Sequence, residues 1–164
     1  GATGIDSHYQ RLGAGAQHGP WFVRLDREVL SGNGQTAFQT PLGTNHLFQG
    51  WVDQFLKTPN EGLRDTYLSA GTKLGEATLL GELHRFDSDA TFTSGTGTSH
   101  HLGSEWDVSV TYPLARQLVA RLEYGRFTEG AQRTAARYTN TEKLWATLLY
   151  KFISTTFHQL LKLI

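Results

Sequence analysis

The chain alternates. Over residues 104–112, Trp106, Val108, Val110 and Tyr112 fall on one parity, and Glu105, Asp107, Ser109 and Thr111 on the other. A period of two sends these sets to opposite faces of a strand, whereas a helix would scatter them around its circumference. Residues 118–127 repeat the pattern, with Leu118, Ala120, Leu122 and Tyr124 against Arg121 and Glu123. Residues 143–152 set Leu144, Ala146, Leu148, Tyr150 and Phe152 against Lys143, Trp145, Thr147, Leu149 and Lys151. Trp21, Val23 and Leu25 oppose Arg24, Asp26 and Glu28, and Ala77, Leu79, Gly81 and Leu83 oppose Thr78, Glu82 and His84. Residues 63–72 read as a strand whose two faces are too alike to orient, and 5–16 as a further, faintly patterned one. The reading is seven strands, with no helix before residue 153.

The connections alternate in length as well. Short ones are expected at 17–20, 73–76 and 113–116, and long ones at 31–62, 87–103 and 128–141. Short ends and long ends therefore gather on opposite sides of an up-and-down sheet, the asymmetry of outer-membrane barrels. Alternation alone does not say which face is the outside. A soluble barrel binding a small apolar ligand turns its apolar face inward, and a membrane barrel turns it to lipid. Trp21, Tyr112 and Phe152 stand at the short-turn ends of the apolar faces, where an interfacial aromatic girdle would lie. Seven is an odd number where bacterial membrane barrels have even ones, so further strands are expected before Gly1.

Composition narrows the field. The 164 residues carry 15 Lys+Arg and 15 Asp+Glu, and this balance offers no basic face for nucleic acid. The chain has no Cys, hence no disulfide framework, thiolate nucleophile or cysteine zinc site. No window is apolar for long enough to make a transmembrane helix, which leaves strands as the way across a bilayer. His100 and His101 adjoin on a loop and lack the companions of a metal site. There is no Gly-x-Ser-x-Gly elbow, and Gly95-Thr96-Gly97 lacks the Lys and following helix of a phosphate loop. Glu105 and Asp107 sit two apart on one strand face, about 7 Å, a separation that would serve a glycosidase but also belongs to ordinary barrel-wall residues. No cofactor, no metal and no enzymatic chemistry are expected.

Several ordered blocks resemble a known family. They are Glu28-Val29-Leu30-Ser31-Gly32-Asn33-Gly34, then Ala37-Phe38-Gln39-Thr40-Pro41-Leu42-Gly43-Thr44, then Phe48-Gln49-Gly50-Trp51-Val52-Asp53-Gln54-Phe55-Leu56 and Thr58-Pro59-Asn60-Glu61-Gly62-Leu63-Arg64-Asp65. With Gly103-Ser104-Glu105-Trp106-Asp107, Glu142-Lys143-Leu144-Trp145 and Tyr150-Lys151-Phe152, the stretch 21–152 resembles the C-terminal part of the bacterial alginate-export outer-membrane protein family. The resemblance implies an all-β fold, an antiparallel up-and-down transmembrane β-barrel of about 18 strands, of which this chain would supply a seven-strand C-terminal portion. It implies a location in the Gram-negative outer membrane, and a porin-like passage for a polysaccharide (alginate-like) or another small polar solute. Its implied partners are outer-membrane lipid, the translocated solute and the outer-membrane assembly machinery, which reads a terminal aromatic such as Phe152.

On this reading the pore-lining candidates are Arg24, Asp26, Glu28, Glu82, His84, Glu105, Asp107, Arg121, Glu123 and Lys143, because a water-filled lumen tolerates charge and uses it for selectivity. The competing role is cross-strand pairing within the wall. Three of the ten are Arg or Lys and six are carboxylates, so this portion alone does not argue for an anionic solute. Trp51, Asp53, Phe55 and Arg64 are candidates for solute contact from the long connection, the alternative being aromatics that pack a loop onto the barrel mouth. Residues 1–152 form the barrel part. In 153–164, Phe157, Leu160, Leu161 and Ile164 recur at helical spacing, so this extension is expected outside the wall as a short amphipathic helix.

Overall fold

A computed structural model of the chain describes residues 7–40, 48–94, 97–130 and 138–152. The expected helical extension at 153–164 lies outside them. Seven strands form in chain order: β1 (Tyr9–His18), β2 (Trp21–Leu30), β3 (Leu63–Leu74), β4 (Ala77–Ser94), β5 (Gly97–Ala115), β6 (Leu118–Glu129) and β7 (Thr141–Tyr150). Each pairs antiparallel with its sequence neighbours in one open sheet ordered β1 to β7, and no helix occurs among the described residues. At one end the turns are minimal. His18 pairs with Trp21 and Leu74 with Ala77, across turns that Gly19 (φ 56°) and Gly75 (φ 60°) close in the left-handed region open to glycine.

The register settles what alternation left open. Arg24, Asp26 and Glu28 pair with Ser69, Tyr67 and Asp65, so β3 sends Asp65, Tyr67, Ser69 and Gly71 to the polar side and Thr66, Leu68 and Ala70 to the apolar one. Boundaries differ from expectation: β1 runs to His18 rather than 16 and β3 to Leu74 rather than 72, which shortens both turns. β4 and β5 run 18 and 19 residues, so 87–103 is the upper part of a long hairpin rather than a loop, with register shifts around Asp87. And β7 ends at Tyr150, two residues short of Phe152, although Lys151 N still donates to Gln117 O at 2.9 Å.

Burial runs opposite to polarity. The apolar face is open: Leu12 is 80% exposed, Leu83 59%, Leu144 66% and Leu148 69%. The polar face is covered: Asp26, Asp65, Glu105, Asp107 and Glu123 are all buried, Asp65 completely. What covers it is the β2–β3 connection, whose residues 49–62 fold back across the sheet. A small core forms between this segment and the sheet toward the long-connection end, Val52 and Phe55 of the segment packing with Leu30, Leu63, Phe86, Phe92, Leu102 and Phe127.

Candidate functional site

The ten charged candidates share one face. Pairing places Asp26 and Glu28 opposite β3, Glu82 opposite Asp107, His84 opposite Glu105, Glu123 opposite Ser109, Arg121 opposite Thr111 and Lys143 opposite Gly125. Successive same-parity residues on neighbouring strands lie about 5 Å apart, so period-two spacing builds a continuous charged surface. Asp65, Arg11 and Tyr67 belong to it too and were not legible as such, because β1 and β3 could not be oriented from sequence.

At its centre His84 is buried in carboxylates. Its Nδ1 lies 2.9 and 3.0 Å from the two oxygens of Asp65, and its Nε2 lies 3.7 Å from both Glu82 and Asp107. The ring is stacked between Tyr67 and Phe86, at 4.9 and 5.4 Å between centroids. Toward β1, Asp26 takes Arg11 at 3.2 Å and is also bound by Arg24, and Tyr9 donates to Glu28 at 2.6 Å. A cleft of about 270 Å³ opens here, bordered by Arg11, Arg24, Glu28, Gln49, Glu82 and His84.

Residues 49–62 are held to this surface mainly through its carboxylates. Gln49 Nε2 donates to Glu28 at 2.8 Å, Trp51 Nε1 to Glu82 at 2.9 Å, and Val52 N to Glu105 at 2.7 Å. Farther across, Gln54 Nε2 donates to Thr141 Oγ1 at 2.8 Å and Lys143 Nζ to Asp53 at 3.0 Å. One segment thus spans β2, β4, β5 and β7. Its entry requires glycine: Gly50 has φ 84°, and a Cβ there would stand 2.6 Å from Glu105. Room for Val52 comes from Gly125, where a Cβ would lie 2.9 Å from the valine and 2.4 Å from Asp107.

The four candidates for solute contact do not act together. Trp51 and Phe55 are each 1% exposed, Phe55 lying 4.5 Å from Phe86 and 4.8 Å from Tyr138 between ring centroids. Their rings are packing elements that seat the segment on the sheet, and Asp53 anchors it through Lys143. Arg64 lies on the opposite face, in register with Val29 and Asp87, and donates to Ser88 O at 2.6 and 2.9 Å. Sequence proximity to Trp51 says nothing about parity, and Arg64 is one residue off the polar set. Glu105, one of the two carboxylates at glycosidase-like spacing, is engaged in holding Val52.

No protein-family model, curated protein or solved structure matches the chain.

Proposed function

We propose that this sheet is a sector of the wall of a β-barrel channel in the bacterial outer membrane, with the polar face lining the lumen and residues 49–62 folded inward to narrow it. The reading adopts the resemblance to the alginate-export family, with a polysaccharide or another small polar solute as the permeant and further strands completing a barrel of about 18. One observation carries it: leucines and tryptophans stand exposed on one continuous face while carboxylates are buried on the other. Water penalises both halves of that arrangement, and lipid reverses the penalty on the apolar half. An unpaired sheet edge is costly in lipid, which is why a closed barrel is the form such a sheet takes there. A soluble carrier for an apolar ligand needs the opposite orientation, with the leucines inside.

The lumen wall so formed works by diffusion and charge rather than by chemistry. Seven carboxylates, Asp65 included, against Arg11, Arg24, Arg121 and Lys143 make this sector unfavourable to a polyanion, so an alginate-like permeant needs basic residues elsewhere in the wall. Phe152, 89% exposed just past β7, is the aromatic offered to the assembly machinery.

Labelling tests the orientation. The chain contains no cysteine, so each variant carries a single thiol. Thr147 lies on the polar face but beyond the covering segment, next to Leu148 on the apolar one. In isolated outer membranes, Thr147→Cys should react with a charged aqueous thiol reagent, whereas Leu148→Cys and Val108→Cys should react only after detergent disperses the lipid. The reverse pattern would identify a soluble barrel.

A further inference from the structure

The apolar face ends abruptly toward the long connections. Its last apolar row is Leu25, Leu68, Leu83 and Trp106 across β2 to β5. The next row is Arg27, Thr66, Arg85 and Ser104, and the one beyond brings Val29, Arg64, Asp87 and His101 into register. Three guanidinium groups from three adjacent strands therefore stand at the border of the apolar face, around a shallow opening of about 440 Å³.

Their charge is only partly spent. Arg85 Nε donates to Asp87 at 3.0 Å, and His101 Nδ1 lies 3.2 Å from the same carboxylate. Arg64 is fixed by the Ser88 carbonyl, which orients its guanidinium without neutralising it. Arg27 is exposed and has no carboxylate partner among the described residues. Among the described residues lining the opening, one carboxylate thus faces three permanent cations.

We propose that this rim binds the phosphates of an anionic lipid headgroup whose acyl chains lie along Leu25, Leu83 and Trp106. The inference rests on the channel reading, since it needs the apolar face to meet lipid. Continuity between the two surfaces selects a lipid over a free anion: only a molecule with chains below and phosphate above can occupy both. Arg27 and Arg85 flank Thr66, two strand spacings or about 10 Å apart, a span that suits a headgroup with two phosphates rather than one. Guanidinium is also the side chain that fits phosphate with two parallel hydrogen bonds.

The test uses the full protein purified in a neutral detergent and titrated with four probes: a diphosphorylated disaccharide glycolipid, phosphatidylglycerol, phosphatidylcholine and inorganic phosphate. The glycolipid should bind tightest, and R27Q/R85Q should weaken it roughly thirty-fold, at about a factor of five per surface cation. Phosphatidylcholine binding should be the same in both proteins, and equimolar inorganic phosphate should not displace the glycolipid. Unchanged glycolipid affinity in R27Q/R85Q, equal binding of phosphatidylcholine or phosphatidylglycerol, or displacement by inorganic phosphate would each overturn the proposal. Bromine-labelled acyl chains, read through Trp106 with the other tryptophans replaced by Phe, separate the two readings. Absent quenching would sink the membrane orientation itself. Intact quenching in both proteins, with no headgroup preference, would sink only the lipid site and shows that R27Q/R85Q is folded.

Discussion

Phe55 and Lys143 hold the same segment by different physics. Phe55 contributes a fully buried ring packed against Phe86, Phe127 and Tyr138, so its removal leaves a cavity that the sheet backbone cannot fill. Lys143 contributes one ion pair to Asp53 with its side chain 38% exposed, where water screens the attraction. Phe55→Ala should therefore cost about 3–5 kcal/mol in urea unfolding, and Lys143→Ala less than about 1 kcal/mol. Equal losses would mean that the segment is held by charge rather than by packing.

At the scale of elements, the strands were legible because a face that meets one environment along its whole length keeps a strict period. β5 is the clearest case, with Trp106, Val108 and Val110 on one side and Glu105, Asp107 and Ser109 on the other. β3 was not orientable because its covered face uses Tyr67, Ser69 and Gly71, residues no more polar than Thr66 and Ala70 opposite. The upper β4–β5 hairpin sends only Phe92 and Leu102 to the core and is interrupted by register shifts around Asp87, so it kept no strict period and read as a loop. The segment 49–62 was legible only as a long connection. Its anchors lie 31 positions away at Glu82 and 53 away at Glu105, distances over which local pattern carries no information. All ten charged candidates shared the face their parity gave them, yet parity could not say that a loop would lie over half of them. If that segment narrows a lumen, replacing residues 51–61 by a short Gly-Ser linker should raise the unitary conductance of the assembled channel. An unchanged conductance, with the linker variant still folded, would place the constriction elsewhere.

For the molecule as a whole, the open sheet sets a limit. β1 and β7 each have one paired edge and one free edge among the described residues. In hydrocarbon every unsatisfied backbone group costs several kcal/mol, so neither edge can face lipid unaided. The 164-residue chain alone, refolded into planar bilayers, should give no stable unitary conductance steps. Reproducible steps from the monomer would show that this sheet closes on itself or with copies of itself.

The anchoring of residues 49–62 also has a direction in time. A chain emerges from its amino end, and the partners of this segment appear in the order Glu28, Glu82, Glu105, then Thr141 and Lys143, the last 90 positions after Asp53. β4 and β5 each add one of these tethers and β7 adds two, and contacts between distant positions form late because their loop-closure entropy must be met first. Until β7 arrives the segment lacks its last two tethers and is held through β2, β4, β5 and the ring contacts of Phe55. Its posture is thus a clock hand for assembly, reading how many strands of the sheet have been laid down.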